Sequence, residues 1–146
     1  ENGVALSYIK PHGALYHLAC SDIKYARLLF EFSHENMGLM GLPKSVLERV
    51  CREQKTEFIP EGFADRVYEV NGNLRKRTLK GSVYTSFDDI MNQVIELCNN
   101  KVTSFSNERI GLCVDSICFH GDHKHSEEMI KKVVGELKRL GVEIRS

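Results

Sequence analysis

No surplus of either charge marks this sequence. Its 146 residues hold 20 Lys and Arg against 20 Asp and Glu, a formal net charge of zero. Broad electrostatic attraction to nucleic acid or to an acidic membrane surface is therefore not expected, although a small anion site remains open. No run approaches the ~20 consecutive apolar residues of a membrane span, and no signal peptide is read at the start. The five cysteines (Cys20, Cys51, Cys98, Cys113 and Cys118) are odd in number and contain no CxxC pair. They read as reduced thiols of a cytoplasmic protein, not as a disulfide framework. GxxxxGK[ST], GxSxG and HExxH are also missing. That leaves no self-evident nucleotide loop, serine elbow or zinc helix. Repeats, linkers and low-complexity stretches are absent as well, so residues 1–146 are expected to form a single domain.

What is present is an alternation of short apolar runs and amphipathic stretches, in a chain that is 42% hydrophobic. Val4 to Ile9 reads as a strand covered on both faces. Residues 21–36 carry Tyr25, Ala26, Leu29 and Phe32 at helical spacing. Leu39–Leu42 reads as a short strand. Pro43 suits the first position of a helix running to about Glu53, with Val46, Leu47, Val50 and Cys51 as its buried stripe. Glu57-Phe58-Ile59 reads as a strand, and Asn71-Gly72-Asn73 as a turn. Ser86 with Asp89 fits a capping box, and the helix it opens carries Phe87, Ile90, Met91, Val94 and Ile95. Ser104–Asn107 reads as a loop and Leu112–Phe119 as a buried strand, where Cys113 and Cys118 serve as small core residues. A last helix is expected from about Ser126 to Leu140, stopped by Gly141, and Val142-Glu143-Ile144 as a closing strand. The pattern βαβα implies parallel strands joined by right-handed crossovers.

In such a fold the loops after the strands gather on one face. Three of them share a design: a buried strand, then a polar cluster. The clusters are Lys10/His12, Glu61/Asp65/Arg66 and His120/Asp122. Lys10 and His12 stand two apart, on one side of a continuing strand. A Lys there holds a carboxylate or polarises a carbonyl, and a His shuttles protons; the plain alternative is a solvated Lys and a His bonded to backbone. Glu61, Asp65 and Arg66 fit a general base, a metal ligand and an anion clamp, or an Asp–Arg surface pair worth little. His120 and Asp122 fit a divalent metal or proton transfer, with His123 and His125 as a solvated helix entry. Arg75-Lys76-Arg77 with Lys80 fits a phosphate or carboxylate, or a solvated face.

The blocks Lys10-Pro11-His12-Gly13-Ala14-Leu15-Tyr16, Glu61 to Tyr68, Leu74 to Arg77 with Gly81, and Val114 to Asp122 resemble the LamB/YcsF family, whose members are also called the A subunit of 5-oxoprolinase. Order and spacing agree along nearly the whole chain. The resemblance implies a partial (β/α) barrel of the glycoside hydrolase and deacetylase type, TIM-like, with parallel strands and crossover helices. It implies one component of a hydrolase that opens the lactam 5-oxoproline to glutamate with consumption of ATP, acting with 5-oxoprolinase subunits B and C. Carried over residue by residue, it marks Lys10, His12, Asp65 and His120 as catalytic, and Glu61, Arg66, Arg77 and Asp122 as substrate-binding. In that division of labour Arg66 or Arg77 holds the substrate carboxylate or a phosphate, Lys10 steadies charge on the lactam oxygen, and His12, Asp65 or His120 moves protons. The alternatives kept beside it are a metal-dependent amide or carbohydrate hydrolase of the same superfamily, with a divalent metal, and a non-catalytic assembly module.

The departures are informative. The family has longer chains, in keeping with the ~250 residues of a full barrel. Its early Asp-rich strand and its CGFHAGD-like and GAHP-like blocks are not found here. The chain therefore resembles the C-terminal half to two-thirds of such a barrel. His123-Lys124 stands where a small polar residue and Pro are usual in the family. Open sheet edges and an uncovered apolar face would favour pairing with another chain or self-association.

Overall fold

The computed structural model describes residues 6–33, 37–121 and 125–145. Four parallel strands form the main sheet: β1 (Tyr8–Ile9), β2 (Gly38–Gly41), β3 (Phe58–Phe63) and β6 (Ser116–Cys118), in the order β1-β2-β3-β6. Tyr8 pairs with Gly38, Leu39 with Phe58, and Phe63 with Cys118. Helices α1 (Gly13–Ser21), α2 (Ile23–Phe32) and α3 (Val46–Gln54) connect the first three strands. Helix α4 (Phe87–Cys98) and an antiparallel hairpin, β4 (Lys101–Thr103) with β5 (Arg109–Gly111), lie between β3 and β6. Helix α5 (Ser126–Arg139) follows β6. This is the parallel-strand α/β fold the sequence implies, and among the described residues the sheet is open, with β1 and β6 outermost.

Burial explains the layers. Ala19, Ala26, Leu29, Leu39, Leu47, Val50 and Cys51 close the space between α1–α3 and the sheet. Ile90, Met91, Val94, Val133 and Leu137 do the same for α4 and α5. Gly62 lets α4 come close: a Cβ there would stand 3.0 Å from a Leu97 methyl. Caps set the boundaries. Ser86 accepts from the Asp89 amide, the N-cap half of the capping box expected, while the Asp89 carboxylate accepts from the Ser86 hydroxyl and not from its backbone N–H. Ser45, rather than Pro43, starts α3, by accepting from the Glu48 amide.

Several expectations are corrected. The helix read over 21–36 is the shorter α2, which starts at Ile23 where Asp22 caps it by accepting from the Lys24 amide at 2.8 Å, and a further helix, α1, precedes it. Helix α1 hides in sequence because Leu15 and Leu18 face out while its buried side is Tyr16, Ala19 and Cys20. The strand read at Glu57–Ile59 continues to Phe63, so Glu61 lies within it and not in a loop. Only Ser116–Cys118 of the run Leu112–Phe119 joins the sheet, and Cys113 is exposed. Val142–Ile144 forms no strand: Gly141 turns at positive φ and the Val142 amide folds back on the Leu137 carbonyl, closing α5. Nothing in the sequence pattern announces the β4–β5 hairpin.

Candidate active site

Strand β3 organises the site. Side chains alternate along a strand, so Glu61, Phe63 and, just beyond its end, Asp65 share one side. Lys10, following β1, donates from Nζ to the Glu61 carboxylate and lies 3.3 Å from the Cys118 Sγ. His120, following β6, places Nδ1 2.8 and 3.0 Å from the two oxygens of Asp65. The three segments singled out in sequence thus converge at the carboxyl ends of parallel strands, where α/β folds place ligands. A cavity of about 1090 Å³ opens there, lined among others by Lys10, His12, Arg66, Arg77, Cys118 and His120.

The turn that carries Asp65 is held from below. The Gln93 amide of α4 donates to the carbonyls of Phe63, Ala64 and Arg66 at 2.7, 3.1 and 2.7 Å. The Ala64 amide continues the sheet ladder to the Cys118 carbonyl, and the Tyr84 amide bonds the Asp65 carbonyl. Asp65 is 0% and Glu61 1% exposed, which a carboxylate tolerates only with a partner. Each has one: His120 and Lys10. The Asp65–Arg66 segment is therefore buried and not a surface pair.

The sequence-predicted residues fall in distinct places. Lys10, His12, Arg66, Arg77 and His120 line the cavity. Asp65 and Glu61 lie behind His120 and Lys10, acting on the cavity through them. Arg66 is 2% exposed, and its guanidinium donates to the carbonyls of Ser82 and Arg75, so it also ties down the 67–82 loop. Arg77 is exposed at the rim. Asp122 and His123 lie outside the described residues. Missed in sequence were Tyr16, His17, Phe63, Gln93 and Cys118. Only Phe63 carried a readable signal, its place midway between Glu61 and Asp65.

Charge follows this packing. Burial works against the Lys10 ammonium, but Glu61 and Cys118 outweigh it and raise Lys10 above its ordinary value. Lys10 is therefore a fixed cation, suited to polarising a carbonyl and not to nucleophilic attack. Burial, then Arg66 and Arg77, hold His17 below its ordinary value, a sign that this rim is positively charged. Burial pushes the Tyr16 phenol far up, with Cys20 and Glu61 adding to it. Among the described residues the Tyr16 hydroxyl and the second oxygen of Glu61 have no partner at full hydrogen-bond geometry. Because the Asp65 carboxylate only accepts, His120 donates from Nδ1 and keeps Nε2 for chemistry. The cationic rim fits an anion. Among the described residues no group of three or more His, Cys, Asp or Glu side chains is arranged to hold a metal ion. No helix of the described chain is long and apolar enough to cross a membrane.

Comparison with known proteins agrees with the fold described above. The A subunit of 5-oxoprolinase from Haemophilus influenzae (strain PittEE) is 35% identical over 146 residues, covering 97% of this chain and 60% of that protein. Its counterpart of the same name from Clostridium beijerinckii is 36% identical, with 97% and 57% covered. The crystal structure of a lactam utilization protein from Thermus thermophilus superposes with a TM-score of 0.87 at 29% identity, over 98% of this chain and 58% of that one. The chain thus spans about three-fifths of the length of these relatives. A family model described as LamB/YcsF family matches residues 1–146, and with relatives of this kind the chain belongs to the LamB/YcsF family.

Proposed function

We propose that this chain contributes the lactam-opening site of a 5-oxoprolinase, hydrolysing 5-oxo-L-proline to L-glutamate at the expense of ATP, in a cytoplasmic complex with subunits B and C. The observation that carries the reading is the meeting of two carboxylate-anchored groups, Lys10 on Glu61 and His120 on Asp65, at one cavity. The names its relatives carry support it.

Amide hydrolysis needs charge stabilised on the carbonyl oxygen, a proton removed from water, and a proton delivered to the leaving nitrogen. Lys10, kept charged by Glu61, faces the developing negative charge on the lactam oxygen. His120, held in one tautomer by Asp65, takes the proton of water at Nε2 and returns it to the ring nitrogen. His12, which lines the same cavity, is the further polar group assigned to the reacting end, and Asp122, outside the described residues, keeps the substrate-binding role that the family resemblance implies. Arg77, with Arg66 behind it, receives the substrate carboxylate. ATP, when bound, supplies activation of the lactam oxygen. Lys76, exposed on the same rim, is the side chain that would meet the ATP phosphates. No step is assigned to a divalent metal.

The test is 5-oxoproline-dependent glutamate formation and ATP hydrolysis by this chain with subunits B and C, with and without the portion of the family chain it does not span. Turnover that disappears in Lys10→Met and in His120→Gln is the expected result. A folded complex that turns over no 5-oxoproline overturns the reading, and unchanged turnover in both variants moves the chemistry away from this cavity.

A further inference from the structure

Between the two anchored groups stands an aromatic ring with no polar atom. Phe63 is 4% exposed and follows Glu61 and precedes Asp65 on the same side of β3. Its ring meets three site residues. The His120 imidazole stacks on it with centroids 5.5 Å apart and planes at 19°. The Lys10 Nζ lies 5.8 Å from its centroid. The Tyr16 ring meets it edge-on at 5.5 Å and 88°. Across the sheet Phe63 pairs with Cys118, on the strand that leads to His120.

We infer that Phe63 is a positioning residue, which fixes the plane of the His120 imidazole and the station of the Lys10 ammonium. For its catalytic consequence the inference rests on the function proposed above; for its geometry it does not. The Nδ1 contact, shared between the two Asp65 oxygens, sets the direction of one edge of the imidazole but does not fix the plane of the ring about that direction. A flat face against the imidazole removes that freedom. A phenyl face carries the negative side of the ring quadrupole and favours cations, and the ammonium held on Glu61 stands over the ring, 5.8 Å from its centroid. Leucine at 63 fills comparable space but offers neither a plane nor a quadrupole. Phe63 reaches the cavity wall with only 4% of its surface and carries no polar atom, so the role inferred for it is exerted through Lys10 and His120.

The test has two independent readouts. The carbon-bound imidazole protons of His120, identified by their loss in His120→Gln, are followed by NMR in this chain. In the wild type the stacked phenyl ring displaces them upfield. Phe63→Tyr keeps the displacement and Phe63→Leu abolishes it. In the full complex Phe63→Leu lowers kcat about 10- to 100-fold, the cost of a misplacement near 1 Å. KM changes by no more than about threefold, and Phe63→Tyr restores most of kcat. Undisplaced wild-type resonances overturn the positioning role whatever the activity, and so does Phe63→Leu with wild-type kcat. Should Phe63→Leu fail to fold, the wild-type resonances and Phe63→Tyr decide alone. A wild-type complex that opens no lactam, yet shows the displaced resonances, sinks the lactam reading and leaves the stack standing.

Discussion

His120 and Asp65 are 55 residues apart in sequence, yet Nδ1 of the imidazole reaches both oxygens of the carboxylate, at 2.8 and 3.0 Å. An amide in place of Asp65 keeps the shape but presents a donor as well as an acceptor, so it no longer selects the Nδ1-protonated tautomer. Asp65→Asn is expected to lower kcat by about 10²- to 10⁴-fold with little change in KM. Steady-state kinetics of 5-oxoproline turnover, beside a thermal unfolding curve showing a folded protein, check it. Near wild-type kcat would remove His120 from proton transfer.

Gln93 supports that pair without touching it. One side-chain amide serves three carbonyls of the turn after β3. Gln93→Leu preserves bulk and leaves those carbonyls short of a donor in a buried place. The expected loss is about 2–4 kcal/mol in urea unfolding, with activity falling as Asp65 loosens. A loss below about 0.5 kcal/mol, the range of ordinary surface changes, would mean the turn is held by the sheet alone.

The sequence made some of this legible and hid the rest for physical reasons. Lys10, Asp65 and His120 each follow a short apolar run, and parallel strands must bring such ends together, so their convergence could be read before any coordinates. Glu61 could not be placed: a charged residue after Pro60 looks like a loop, and only its pairing with Lys10 lets it sit inside β3. Helix α2 was legible from Tyr25, Ala26 and Leu29, whereas α1 before Asp22 was not, because its leucines, Leu15 and Leu18, face out. The β4–β5 hairpin is three residues per strand, too short for alternation to show. Cys118 reads as core, which by burial it partly is, and its approach to Lys10 is a tertiary fact.

Tyr16 offers a test by pH. Its phenol is buried, has no partner at full hydrogen-bond geometry among the described residues, and is pushed up from an ordinary value of 10.0. Above that pH the unfolded chain ionises this phenol and the folded chain does not. The unfolded state then binds fewer protons, and stability falls as pH rises. The contribution is whole below pH 10 and is lost from there upward. Tyr16→Phe should leave stability at pH 7 equal or raise it by about 1 kcal/mol, since an unsatisfied hydroxyl is removed. It should also flatten the alkaline decline, leaving the part due to Tyr68 and Lys10, both of which are raised too. Urea unfolding from about pH 8 to 11 reads both effects. A clear loss at pH 7 would show that the hydroxyl holds Glu61 in place.

Lys10 and Glu61 separate stability from chemistry. Glu61 is almost fully enclosed, and Lys10 is 21% exposed at its side chain. Lys10→Met leaves a buried carboxylate without its counter-charge and should cost about 3 kcal/mol. Glu61→Leu alone leaves an ammonium that can still reach the cavity, so its cost should be smaller. The double variant Lys10→Met with Glu61→Leu replaces an ion pair by apolar groups of similar size, and should regain most of the lost stability, because a buried pair offsets little more than its own desolvation. Activity should not follow. With the cation gone, nothing at that position faces the lactam oxygen, and the double variant should be as inactive as Lys10→Met. Unfolding free energies and turnover of the three variants form one cycle. Stability regained without turnover assigns the pair to catalysis. Turnover regained together with stability would mean that Lys10 serves only to neutralise Glu61, and that the carbonyl is polarised by another cation of the cavity.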